Sequence, residues 1–188
     1  MNTSLTCCFV GHRNTVLTES EETKLKQIIK DLIIHYNVST FLFGSCSTFD
    51  SICHSIVTDL KKEFYYIKRV AYTCKSETCT LESERERLEK VYSTFFKKEI
   101  KLMGVEEEKM HKNIFTAGKA SYVERNQEMI DDSDICVFYY DENYKPDVRR
   151  IAKKSIGFYQ PKSGTRLAYF YAIQKKKKII NLKDMDEK

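Results

Sequence analysis

Leu5-Thr6-Cys7-Cys8-Phe9-Val10-Gly11-His12-Arg13-Asn14 opens as a short apolar run and closes on a glycine and three polar residues. Such a run, without strict polar alternation, predicts a strand buried on both faces, and Gly11 to Asn14 predict the turn at its carboxyl end. Downstream, Thr18-x-x-Glu21 has the form of a capping box. Leu25, Ile28, Ile29, Leu32 and Ile33 follow at the three-and-four spacing of an amphipathic helix that runs to about Tyr36. One strand-turn-helix unit is complete.

The pattern then repeats. Thr40 to Phe43 predict a second strand, Gly44-Ser45-Cys46-Ser47-Thr48 a turn of small residues, and Ile52, Ile56, Val57 and Leu60 the stripe of a second helix. Tyr65 to Tyr72 predict a third strand, Leu81 to Phe95 a helix, and Ile100 to Met103 a further short strand. A helix beginning near Tyr122 ends at Asp131-Asp132-Ser133-Asp134, ahead of a buried run from Ile135 to Tyr140. The segment 141–162 is a polar excursion, long for a connection in a compact domain and therefore expected to be functional or mobile. Ser163-Gly164-Thr165 open a last helix, Leu167 to Gln174, and Lys178 to Leu182 a last strand. Strands and helices alternating in this way, with buried strands, predict an α/β Rossmann-like three-layer sandwich: a mostly parallel central sheet with helices on both faces. In that architecture ligands bind beyond the carboxyl ends of the strands.

With 188 residues the chain is expected to form a single domain over 1–188. Only six Gly and two Pro argue against a long loop-dominated region. No stretch approaches the roughly 20 apolar residues of a membrane span, and Met1-Asn2-Thr3-Ser4 lacks the layout of a signal peptide, so a cytoplasmic location and no membrane association are expected. Seven cysteines is an odd number, and Cys7, Cys8 and Cys136 sit in apolar runs, which reads as buried free thiols. The net charge of +5 is mild for a nucleic-acid binder. The run Lys175 to Lys178 closes a helix, where lysines favour the negative end of the dipole.

Two of the predicted strand-end loops, Gly44-Ser45-Cys46-Ser47 and Ser163-Gly164-Thr165, put small residues at a helix start, where free amides and the positive helix end can hold a phosphate. Either loop alone is equally read as a strand end and a helix cap. Neither is a Walker A sequence and no G-x-G-x-x-G follows the first strand, so a P-loop NTPase and a dinucleotide-fingerprint dehydrogenase are not supported.

Taken in order, Gly11-His12-Arg13, Gly44 to Asp50, Tyr122 to Met129, the strand after Ser133-Asp134, and Ser163-Gly164-Thr165 resemble the SLOG superfamily, in particular its YspA/YpsA-like branch. The resemblance implies a modified Rossmann domain that binds a nucleotide or nucleotide-derived signal, as in sensing or phage-defence exchanges, and it implies a ligand class without fixing a reaction. In the related lonely-guy phosphoribohydrolases an Arg on the penultimate helix and a Glu three residues after Gly-Thr carry catalysis. Arg125 matches the first, whereas Ala168 stands where the Glu is expected. Because N-glycoside cleavage needs a carboxylate near the anomeric carbon, this departure favours binding over hydrolysis, unless Glu124 or Asp50 supplies a displaced carboxylate. The family's Pro-Gly-Gly is also reduced here, to Pro161-Lys162-Ser163-Gly164.

The candidate ligand-binding residues are therefore Gly11, His12, Arg13, Gly44, Ser45, Ser47, Asp50, Arg125, Ser163, Gly164 and Thr165. Arg13 suits a bidentate phosphate contact or stacking on a base. Arg125 has Glu128 three residues on, so an intrahelical ion pair is its other reading. Arg166 is open between ligand and surface, His12 between ligand and turn, and Asp50 between ribose hydroxyls and a helix cap. Tyr139, Tyr140 and Tyr144 can either set an aromatic against a base or pack the rim. Cys46, Cys53 and His54 lack zinc spacing, as does the Cys74/Cys79 pair, so no metal and no cofactor is expected. The expected partner is a nucleotide-like small molecule, with a homodimer anticipated. Single-stranded nucleic acid, contacted through Arg149 to Lys154 and Lys175 to Lys178, is the less favoured alternative to binding and to N-glycosidase activity. Arg125→Ala and Gly164→Asp are each expected to abolish binding with the fold intact.

Overall fold

A computed structural model describes residues 4–44, 47–73, 105–110, 119–150 and 158–185. The opening run forms β1 (Leu5–Gly11). Its successive side chains enter opposite layers: Cys7 and Phe9 join one apolar cluster, Cys8 and Val10 the other. Helix α1 (Glu19–Tyr36) starts at the expected capping box, with the Thr18 hydroxyl accepting from the Glu21 amide and the Glu21 carboxylate accepting from the Thr18 amide. It ends at Asn37 in the left-handed conformation, φ 54°, which turns the chain directly into β2 (Val38–Phe43). Helix α2 (Thr48–Leu60) carries a second capping box, Ser47 with Asp50.

Strand β3 (Lys68–Thr73) begins three residues later than the aromatic run suggests. Tyr65 and Tyr66 are exposed, because the Lys61 ammonium donates to the carbonyls of Tyr65 and Ile67 and so folds this segment into a turn. Next in the sheet is β4 (Glu107–Met110), which the sequence pattern does not announce; the helix expected at Leu81 to Phe95 and the strand at Ile100 to Met103 lie outside the described residues. Helix α3 (Lys119–Asp131) is followed by β5 (Ile135–Tyr139), buried along its whole length. Within the polar excursion, β6 (Arg149–Arg150) and β7 (Phe158–Tyr159) pair antiparallel. Helix α4 (Gly164–Gln174) and β8 (Lys178–Asn181) complete the order.

The six-stranded sheet runs β4-β3-β2-β1-β5-β8 with every pair parallel. On one face Phe9, Phe41, Phe43 and Val137 pack against Leu25, Ile29, Phe49 and Val57 of α1 and α2. On the other, Val10, Leu42, Tyr72 and Phe138 pack against Met129, Ala168 and Ala172 of α3 and α4. This is the expected Rossmann-like sandwich. Cys7, Cys8, Cys53 and Cys136 are buried free thiols, and among the described residues no helix is long and apolar enough to cross a membrane. Chain order reverses between β1 and β5, because β2 flanks β1 on one side and β5 on the other. The loops leaving those two strands diverge to opposite faces and open a crevice.

Candidate functional site

At that crevice lies a cavity of about 280 Å³. Gly11, His12, Arg13 and Asn14 come to it from the end of β1, and Ser47 and Asp50 from the start of α2. Helix α3 contributes Tyr122, Arg125 and Asn126, the excursion Tyr144, Pro146 and Asp147, and the start of α4 Lys162 to Thr165. Nine of the sequence-derived candidates therefore meet here; Gly44 adjoins the wall and Ser45 lies outside the described residues. Glu124, Ala168 and Arg166 are not on the wall. Ala168 is buried in the core, and the Arg166 guanidinium instead donates to the Tyr140 hydroxyl at 3.1 Å and lies over the Phe170 ring.

The two helix starts are not equivalent. In the first turn of α2 the Thr48 amide donates to the Arg13 carbonyl at 2.9 Å and the Asp50 amide to the Ser47 hydroxyl at 2.9 Å, so this end is mostly satisfied from within. In α4 the Ser163 hydroxyl caps only the Arg166 amide, at 2.9 Å. Among the described residues the amides of Gly164 and Thr165 have no partner. A Cβ built on Gly164 meets nothing within 4 Å, so this turn is open toward whatever enters. Two adjacent free amides at a positive helix end are an arrangement that can hold an anion.

The other two glycines serve packing. A Cβ on Gly11 would lie 2.4–2.6 Å from the Phe49 side chain, so the glycine lets α2 sit directly on β1. A Cβ on Gly44 would lie 2.8 Å from the Arg125 guanidinium and 3.0 Å from the Asp50 carboxylate. Gly44 thus admits a cation of α3 beside a carboxylate of α2, where the sequence suggests an anion cradle.

Asp50 is buried, and both of its oxygens are engaged: one accepts from the Gly44 amide at 3.3 Å, the other from the Ser47 hydroxyl at 2.7 Å and the Ser47 amide at 3.3 Å. Burial raises its pKa above the ordinary aspartate value, and the charge of Arg125 and these hydrogen bonds pull it partly back. Arg125 is itself buried, donating to the Asn126 side-chain Oδ1 at 3.0 Å. Its guanidinium and that of Arg13 both stand over the Tyr122 ring, at 5.4 and 5.7 Å from its centroid.

His12 accepts a hydrogen bond at Nε2 from the Asp141 amide, 3.1 Å, which leaves the proton of the neutral ring on Nδ1. That Nδ1 is buried with no partner among the described residues. Comparison with known proteins finds no matching family model and no matching curated protein. Asn14, Asn126, Asp147 and Lys162 are cavity residues that sequence reasoning did not single out; the length of the excursion and the turn after β1 are the signals that pointed near them. The lysine run stays engaged within the fold: Lys175 pairs with Asp131 at 3.0 Å, Lys177 donates to the Asp131 and Ser133 carbonyls, and Lys178 covers the Tyr36 ring.

Burial lowers the pKa of His12, and burial followed by the charge of Arg69 lowers that of His54, Glu106 opposing. The unfolded chain takes up these protons near the ordinary histidine value of about 6.5, the folded chain only at lower pH. Their contribution is therefore complete above about pH 6.5 and is lost as pH falls through that value toward the folded pKa values. Urea midpoints are expected to drop between about pH 7 and pH 5.5. His54→Leu should remove part of that drop, and a midpoint unchanged across this window would contradict the assignment.

Proposed function

We propose that the chain binds, and thereby senses or sequesters, a phosphate-bearing, nucleotide-like small molecule in the switch-point cavity. The observation that carries this reading is the pair of unpartnered amides at Gly164 and Thr165, opening onto the cavity that Arg13, Arg125 and Lys162 also line. Fixed amides, a helix dipole and guanidinium groups are complementary to a phosphate dianion. At about 280 Å³ the cavity lies near the lower end of the ~300–1,000 Å³ range of small-molecule pockets, in keeping with one nucleotide unit. The ordered motifs that resemble the SLOG superfamily support the same ligand class.

Binding is favoured over N-glycoside hydrolysis: of the two carboxylates on the wall, the buried Asp50 has both oxygens engaged by the Gly44 and Ser47 groups, and Asp147 is exposed. Position 168, where the phosphoribohydrolases carry Glu, is an alanine in the core.

Gly164→Asp tests the site without testing the fold. The added side chain meets open space, and a carboxylate at a helix start is stabilising by about 0.3–1 kcal/mol. The variant is expected to melt at or slightly above the wild-type temperature while losing all calorimetric binding of AMP, ADP-ribose and ribose 5-phosphate. Wild-type binding of any of them that survives this substitution removes α4 from the site, and free base accumulating in the mixtures would make the protein a glycosidase.

A further inference from the structure

A column of aromatic rings runs from the core to the cavity and ends in an open ring. Tyr140 stacks on Tyr169 with centroids 4.5 Å apart, and Tyr169 in turn packs edge-on against Phe138 at 5.2 Å. Toward the cavity, His12 tilts against Tyr140 at 6.2 Å, and Tyr144 stacks on His12 at 3.9 Å with an interplanar angle of 27°. The three members nearest the cavity are positioned by hydrogen bonds. Tyr140 is fixed through its amide to the Asn181 side chain, through its carbonyl to the same side chain, and through its hydroxyl to Arg166. His12 is fixed by the Asp141 amide. The turn that presents Tyr144 is closed by its own amide donating to the Asp141 carbonyl, 3.2 Å, and by the Asn143 amide donating to the Asp141 carboxylate, 2.8 Å.

From Tyr140 toward the cavity, burial falls away at the last ring. Tyr140 is 8% exposed and His12 4%, whereas Tyr144 is 36% exposed and lines the cavity. A terminal ring held rigid by the rings behind it loses little freedom when another flat ring is added, which is the condition under which stacking contributes most to affinity. The cavity wall thus carries two distinct chemistries: unpartnered amides on α4, and an aromatic ring on the excursion that follows β5.

We infer that Tyr144 is the platform for the planar base of the ligand, so that the ligand is an aromatic nucleoside phosphate rather than a sugar phosphate or a polyphosphate. This rests on the phosphate-binding reading of the same cavity. It also gives the excursion a function: it supplies the specificity wall, while the sheet and α4 supply the anion site. Because every nucleobase has a stacking face, the platform discriminates base from no base more strongly than one base from another.

The test is calorimetric titration of the full chain with the four ribonucleoside 5′-monophosphates, ribose 5-phosphate and inorganic phosphate. For wild type, the tightest of the four nucleotides is expected to bind roughly 5- to 150-fold more tightly than ribose 5-phosphate. Tyr144→Ala is expected to collapse that ratio to within about twofold, and Tyr144→Phe, which keeps the ring, to retain it. With 12 tyrosines and no tryptophan in the chain, near-ultraviolet absorbance of the base can be followed for the hypochromism of stacking. Ribose 5-phosphate binding as tightly as every nucleotide, or a ratio that survives Tyr144→Ala, overturns the platform and leaves the phosphate site standing. Binding of none of these compounds overturns both.

Discussion

Arg125→Ala is expected to abolish ligand binding and, in the same step, to lower the stability of the fold by about 1–3 kcal/mol. Both effects follow from Gly44, whose missing side chain lets the guanidinium of α3 lie beside the buried carboxylate of Asp50. Burial already raises the Asp50 pKa, and Arg125 is the largest influence opposing it. Without the cation, Asp50 either stays charged at high cost or takes up a proton and weakens the hydrogen bonds that cap α2. For a chain of this size the melting temperature should fall by roughly 5 °C. Asp50→Asn in the same chain removes the stranded charge, so the double variant should regain part of the stability and none of the binding. Equal melting temperatures for wild type and Arg125→Ala would mean that Asp50 is compensated elsewhere. Intact nucleotide binding by the single variant would take Arg125 out of the site.

That dual role is not legible in the sequence, and the reason is physical. The capping box Ser47/Asp50 can be read from spacing because both partners lie in one turn, as with Thr18/Glu21. The cation that completes Asp50 comes from a helix distant in the chain, and only the sheet order brings it near. The fold itself was more accessible: β1, β2 and β5 are largely buried apolar runs, and the stripes of α1 and α2 keep helical spacing. Strand β4 escaped because its Glu107 and Lys109 form an edge, held by backbone pairing and by ion pairs instead of apolar contacts. Lys68 bonds Glu107, and Arg69 holds the Glu106 carboxylate by three hydrogen bonds at 2.6, 2.7 and 3.2 Å, keeping that carboxyl near pKa 2 despite partial burial. Tyr65 and Tyr66 misled in the opposite direction, being aromatic yet placed in a turn. Ser47 and Ser163 to Thr165 both line the cavity, but only their hydrogen-bond partners separate the engaged amides of α2 from the open ones of α4.

Gly11→Ala is expected to destabilise the protein by about 1–3 kcal/mol, as an overpacked core does, although alanine suits a strand better than glycine. Gly11 needs no special backbone conformation; what excludes a methyl group is Phe49, whose Cβ, Cγ and Cδ1 would all lie within 2.6 Å of it. These are atoms at the root of the ring, so no rotation of the side chain relieves the contact and α2 has to move as a body. The N-terminal turn of α2 carries Ser47 and Asp50, and its Thr48 amide is bonded to Arg13, so the displacement reaches the cavity and nucleotide affinity falls as well. Gly164→Ala is the matched control, because a Cβ there meets nothing, and its stability should stay within about 0.5 kcal/mol of wild type. Urea unfolding of the two variants separates a glycine required by helix-on-strand packing from one that leaves room for a ligand. If Gly11→Ala unfolds at the wild-type midpoint, α2 can shift freely against β1, and the crevice between β1 and β5 is then a deformable wall instead of a rigid one.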